Sequence, residues 1–295
     1  MTSERQPILE PELLGALERM QLRTRRRLAG MISGEHRSKR YGSSLDFADF
    51  REYQQGDDFR RIDYQTLARL DQMLIRLYEA EDDLVVRLVI DTSASMALDN
   101  KLSRAVEVAA AIGFVALTRR DVVTVHTVTN TSGETPAQTR FSSRGAWPQL
   151  ANHLSGLTAE GSGSLVRSAA ALLSRSGPSG LTVLLSDLLD PEWETALTRL
   201  PGRGADLAVI QVLGPSELDP QVAGDVDLVD IETGRRMPMS LTEAAIERYG
   251  ERRDAWLERI SSRVAGLNAG YVLVSSDADL RQTLLGSLRS GGVAS

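Results

Sequence analysis

No cysteine occurs in the sequence, which rules out disulfides, thiolate metal sites and a cysteine nucleophile. Histidine is scarce: His36, His126 and His153 lie far apart without ligand spacing, so zinc is not expected. No apolar run approaches the ~18 residues that suggest a membrane span. The first twenty residues are charged and interrupted by proline, with no apolar stretch of signal-peptide length. These absences lead to the expectation of a soluble, cytoplasmic protein. A net charge of −6 also argues against general nucleic-acid binding.

What is present suits a globular α/β protein. An apolar content of 42 % in 295 residues fills the core of one large domain or two smaller ones. The charge is uneven: Arg19 to Arg40 is strongly basic, while Asp46 to Asp83 is rich in acids. The basic segment reads either as a solvated helix face with Met20, Leu22 and Leu28 turned inward, or as a docking element for an acidic partner or anionic lipid.

Periodicity divides the chain at residue 84. Before it, Glu12 to Met31 has helical apolar spacing, with an end near Gly30 and Gly34. Tyr41 to Asp83 has no clean helical period, and Met73 to Glu79 alternates like a strand, which predicts short strands or a hairpin arm. From Leu84 onward, LVVRLVID, DVVTVHTVT, LTVLLSD, ADLAVIQVL and AGYVLVSS are strands of the kind buried on both faces of a parallel sheet. Helices are predicted over Lys101 to Leu117, Ala146 to Leu154, Ser164 to Ser174, PEWETALTRL, Leu241 to Leu267 and Asp279 to Leu288. TPAQTRF is a candidate hairpin strand, and DVDLVDIETGRRMPM reads as a hairpin turning at Glu232 to Gly234. The expected fold is α/β, a Rossmann-like and mostly parallel sheet flanked by helices. It is expected as residues 84–295, preceded by an N-terminal subdomain of residues 1–83 with a helix and a small β-containing arm.

Ligands in such sheets bind beyond the carboxyl ends of the strands, where Asp91 and Asp187 both fall. Asp91, Ser93 and Ser95 share one loop, and their hard oxygens suit Mg2+ or another divalent cation such as Mn2+ or Ca2+. Asp187 would add a second carboxylate, and a hydroxyl of Gly161-Ser-Gly-Ser164 would complete the set. The competing reading gives Ser93 or Ser95 the ordinary task of capping the next helix.

D-x-S-x-S after a buried strand, a hydroxyl loop and a strand-ending Asp together resemble the metal-ion-dependent adhesion site of von Willebrand factor A domains. The resemblance implies that Asp91, Ser93, Ser95 and Asp187 hold Mg2+. Where that family has threonine, this chain has Ser162 or Ser164; Ser164 is favoured because Ala169 and Ala170 then fall at the family's small helix residues. The upstream stretch GEHRSKRYGSSLDFADFREYQQGDDFRRIDYQTLARLDQMLIRLYEAE is more specific. It resembles the signature of the domain-of-unknown-function 58 family, von Willebrand A-like proteins whose genes commonly neighbour MoxR-type AAA ATPases. Gln55 and Tyr64 stand where that signature has Pro and Trp.

The resemblance implies a non-enzymatic, metal-dependent interaction module acting with a MoxR-type ATPase in maturation or remodelling of other proteins. A partner or client would supply an acidic residue to the metal. The alternative is a Mg2+-dependent phosphatase with Asp91 as nucleophile, but D-x-D-x-T enzymes carry an acid where this chain has Ser93, so no general acid is supplied. GSGS is neither a nucleophile elbow nor a P-loop, lacking the former's spacing and the latter's lysine. Arg51, Glu52, Asp57, Asp58, Arg60, Arg61 and Asp63 form either an ion-pair network or a partner-docking surface near the metal.

Overall fold

The computed structural model describes residues 7–24, 47–54, 57, 62–70, 72–78, 84–128, 139–174, 180–201, 205–221, 224–231 and 234–295. The chain divides into two units, one of Met1–Arg27 with Leu84–Ser295 and one of Leu28–Asp83.

In the smaller unit, β1 (Phe47–Glu52) pairs antiparallel with β2 (Leu74–Tyr78), and α2 (Tyr64–Leu70) lies between them in sequence. The β arm matches the expectation; the helix does not. Asp63 starts α2 by accepting from the backbone of Gln65 and the hydroxyl of Thr66, an N-cap hidden in a sequence whose apolar spacing is irregular.

The larger unit opens with α1 (Pro11–Leu17). The periodic stretch from Glu12 does not continue as one helix, although Met20 and Leu22 are buried as expected. Gln21 exchanges backbone hydrogen bonds with Ser295, and Arg23 donates to Val293. That pairing extends the chain where local spacing favoured a helix. Leu28, Gly30 and Gly34 lie outside the described residues.

The central sheet contains β3 (Val85–Asp91), β4 (Val122–Val128), β5 (Thr139–Phe141), β6 (Leu181–Ser186), β7 (Asp206–Leu213) and β10 (Gly270–Ser275). Its order is β10-β7-β6-β3-β4-β5, and only β5 runs antiparallel to its neighbour. This is the mostly parallel, Rossmann-like α/β sheet expected of a von Willebrand A-like chain. Successive strand residues feed opposite layers. Val86, Leu88 and Ile90 pack with α3 (Lys101–Thr118), α4 (Trp147–Leu154) and α1, whereas Val89 packs against α5 (Leu165–Ser174), α6 (Trp193–Arg199) and α8 (Glu243–Gly266). With both faces covered, the strands read as unbroken apolar runs. Between β7 and α8 come a short helix, α7 (Pro215–Leu218), and an antiparallel hairpin of β8 (Gly224–Val229) and β9 (Arg236–Leu241).

The strand order positions the site. From β3 the chain adds β4 on one side, then returns to lay β6 on the other. The loops leaving β3 and β6 therefore diverge at neighbouring strand ends, the crevice in which doubly wound sheets take ligands.

Candidate cation site

Val86 to Ile90 are drawn into the sheet, which carries Asp91 to its carboxyl edge with 4 % exposure. Asp91 Oδ1 accepts from the Ser93 backbone at 3.0 Å, and Oδ2 accepts from the Ser186 hydroxyl at 2.6 Å. The turn brings Ser93 Oγ and Ser95 Oγ to 3.0 Å. Neither serine makes a side-chain cap on the Ala94–Asn100 helical turn, so the capping alternative does not account for them. Burial, and next the charge of Asp187, push the Asp91 carboxyl above its usual range; the hydrogen bonds from Ser186 and Ser93 oppose this without cancelling it.

The Gly/Ser loop lies against this turn. Glu160 donates from its backbone to Thr92, and the Ala94 backbone donates to Gly161 at 2.7 Å. A Cβ on Gly163 would come 2.9 Å from Val128 Cγ1, 3.4 Å from Ser93 Cβ and 3.5 Å from Asp91 Oδ1. Glycine is what lets the loop approach the carboxylate. Ser164 heads α5, its hydroxyl accepting from the Arg167 backbone at 3.4 Å, while Asp190 accepts from the Leu165 backbone. Ser162 is half-buried in the same loop.

Asp187 is buried and fully engaged. Its Oδ1 accepts from the Leu189 backbone at 3.1 Å, and its Oδ2 accepts from Lys101 Nζ at 2.8 Å. Lys101 also reaches Glu217 Oε1 at 2.6 Å. The lysine side chain has no exposed surface. Burial works against its ammonium, but Asp187 and Glu217 outweigh burial and hold its pKa above the ordinary lysine value. Leu188, next in the chain, is buried with φ +60°. A side chain there is strained, and such strain collects at functional sites. Below Asp187, Gln211 donates to its carbonyl and accepts from the Tyr271 hydroxyl.

The donor set fits a small hard cation. Ser93 Oγ and Ser95 Oγ share a hydrogen bond at 3.0 Å, a separation that adjacent oxygens on an octahedral Mg2+, bound at about 2.0–2.1 Å, would also have. Charge points the same way. Asp91, Asp187 and Glu217 against Lys101 leave two uncompensated negative charges when all are ionised, and burying net charge is costly. No group of three or more His, Cys, Asp or Glu side chains that could hold a metal occurs among the described residues, so a cation here would have to rely on hydroxyls as well.

Sequence reasoning named Asp91, Ser93, Ser95 and Asp187, with Ser164 or Ser162 as a further ligand; the fold brings the loops carrying Asp91, Ser93, Ser95 and Asp187 to one edge, while Ser164 caps the start of α5. Sequence reasoning missed Ser186, Lys101 and Glu217, and took Gly163 only as part of the hydroxyl loop. A signal for Lys101 existed: it sits on the same helix stripe as Ala105, Val108 and Ile112, all buried, where lysine is out of place. In the upstream signature, Asp57 accepts from the Gln54 backbone and Asp63 caps α2. Glu52 is exposed at the end of β1. Asp58, Arg60 and Arg61, and the side chain of Arg51, lie outside the described residues.

The family model described as a protein of unknown function, DUF58, matches residues 49–255. An uncharacterized protein of Mycobacterium tuberculosis, Rv1480, and one of Mycobacterium bovis, Mb1516, are each 28 % identical over 284 residues, covering 92 % of this chain and 87 % of theirs. Among solved structures, a conserved hypothetical protein BatB from Bacteroides thetaiotaomicron matches at 11 % identity and TM-score 0.39. An aerotolerance-related membrane protein from Bacteroides fragilis matches at 15 % and 0.42. Both cover 70 % of this chain and 98 % of their own. A third, from Vibrio fischeri, is titled an uncharacterized membrane spanning protein, with 13 % identity, TM-score 0.22 and the same coverage. Two of these proteins are described as membrane proteins, and the expectation of a cytoplasmic location is withdrawn. No helix among the described residues is long and apolar enough to cross a membrane.

Proposed function

The chain belongs to the DUF58 family of proteins of unknown function, and on that premise we propose that it is a non-enzymatic protein-interaction module whose contact with a partner depends on a divalent cation at the Asp91 loop. The observation that carries this reading is the pair of buried hydroxyls, Ser93 Oγ and Ser95 Oγ, 3.0 Å apart beside Asp91. When bound, the cation supplies a concentrated positive charge with room for a partner's carboxylate. The chain's own residues hold that point in place: Asp91 is oriented by Ser93 and Ser186, and Gly163 keeps the neighbouring loop close without filling the space.

Against an aspartyl-phosphate reaction stands the serine at position 93, where such chemistry needs an acid. The partner class follows from the family resemblance: a MoxR-type AAA ATPase, with a client protein as the second source of the bridging carboxylate.

Titration calorimetry with Mg2+, on the wild type and on the Ser93→Ala/Ser95→Ala variant, tests the cation. The reading expects binding to the first and none to the second. Co-purification with the ATPase in Mg2+ and again in EDTA tests the partner. Recovery that is equal in both buffers sinks the metal bridge.

A further inference from the structure

Lys101 is the element of this edge that a cation site does not require. An ammonium without solvent exposure sits 2.8 Å from Asp187 Oδ2 and 2.6 Å from Glu217 Oε1, within the same edge as the candidate ligands. Its placement is built rather than incidental. Asp99 and Asn100, both at positive φ, kink the chain so that α3 begins at Lys101. Asp99 accepts from the backbone and hydroxyl of Ser216, which holds α7 to the kink. Glu217 Oε2 accepts from the Gly214 backbone at 2.7 Å, leaving Oε1 for the lysine. Tyr249 of α8 donates to the Glu217 carbonyl at 2.7 Å. The lysine is thus gripped from the sheet edge by Asp187 and from α7 by Glu217.

We infer that Lys101 is a positioning residue that withholds Asp187 from the cation and so keeps cation binding weak until a partner carboxylate completes the site. This inference rests on the cation reading proposed above. Asp187 Oδ2 carries the lysine's ammonium, whose charge repels a cation, whereas the Asp91 oxygens accept from neutral donors, the Ser93 backbone and the Ser186 hydroxyl. With Lys101 in place, Asp91 and the serine hydroxyls are the groups at this edge free of an ammonium, a donor set of one charge. One carboxylate with neutral oxygens holds a divalent cation less tightly than two. A partner's acid then contributes the missing charge, and affinity for cation and partner become mutually dependent, as linkage requires.

The test is a charge-conserving pair of substitutions. Lys101→Met/Glu217→Gln removes one positive and one negative charge together, so the net charge of the cluster does not change while Asp187 Oδ2 is released. The double variant is expected to bind Mg2+ about tenfold more tightly than the wild type by calorimetry, because a second carboxylate now faces the ion. A merely structural lysine predicts loss of affinity or none, not a gain. If the wild type binds Mg2+ and the folded double variant binds equally or less tightly, the role assigned to Lys101 is overturned and the cation reading survives. If neither protein binds Mg2+, both are overturned. A second measurement needs no substitution: in crystals of the wild type soaked with Mn2+, Lys101 is expected to remain on Asp187 Oδ2. An anomalous peak bonded directly to that oxygen, with the lysine displaced, overturns the inference even if the double variant does not fold.

Discussion

The Ser186 hydroxyl donates to Asp91 Oδ2 at 2.6 Å across neighbouring strands β6 and β3. Ser186 accepts in turn from the Leu188 backbone at 2.9 Å. One buried hydroxyl thereby fixes both the first carboxylate and the turn that presents the second.

Ser186→Ala leaves one carboxylate oxygen and one backbone N–H buried without these partners. Each unsatisfied buried group costs about 1–3 kcal/mol, so a loss of ~2 kcal/mol or more is expected in urea unfolding, with an unchanged slope. A change below about 0.5 kcal/mol would mean that water replaces the hydroxyl.

Gly163→Ala should act on the cation more than on the fold. Its methyl group meets Val128 Cγ1 at 2.9 Å and stands 3.5 Å from Asp91 Oδ1. Relieving such crowding costs about 1–3 kcal/mol and displaces the Gly/Ser loop from Asp91. The expected result is a folded protein whose Mg2+ heat in calorimetry is reduced or lost; undiminished binding would remove Gly163 from the site.

At position 188 the usual order of core substitutions should invert. Leu188 is buried with φ +60°, so truncation costs roughly 2–5 kcal/mol in lost packing. Alanine keeps the backbone strain, whereas glycine relieves about 1 kcal/mol of it. Leu188→Gly is therefore expected to be more stable than Leu188→Ala, a comparison read from paired thermal melts.

The pH dependence of stability should carry the signature of Asp91. Its carboxyl is raised above 3.8, foremost by burial and then by Asp187. A group bound to its proton more tightly in the folded state favours folding below its unfolded pKa, and that contribution is lost as pH rises through the folded value. Without divalent cation, the wild type should lose stability relative to Asp91→Asn as pH rises through that window, and the difference should level off above it. Saturating Mg2+ should recover the loss, since the ion favours the ionised carboxylate. Parallel stability profiles for the two proteins would contradict the raised carboxyl.

Most elements of the larger unit were legible because each carries its own periodicity; the four-residue α7 was not. β3, β4, β6, β7 and β10 are continuous apolar runs, α3 is alanine-rich and amphipathic, and the β8–β9 hairpin announces itself through alternation around a glycine. The exceptions have local causes. α2 depends on the Asp63 cap within an irregular sequence, and the helix expected beyond Leu17 gives way to backbone pairing between Gln21 and Ser295.

The same division holds at the candidate site. Asp91, Ser93, Ser95 and Asp187 follow from sequence alone, since a polar residue that ends a buried strand must lie at the sheet's carboxyl edge. Their surroundings do not. Ser186 meets Asp91 only because β6 lies beside β3, and Gly163 matters only because its loop folds onto Asp91. Lys101 and Glu217 are 116 positions apart and meet through strand order and the kink at Asp99. Sequence spacing records neighbours along one strand or helix, so it determined which groups reach the edge. Which hydroxyl orients Asp91, and which ammonium occupies Asp187, was decided by tertiary packing, because hydrogen bonds and ion pairs act over a few ångströms of space whatever the separation along the chain.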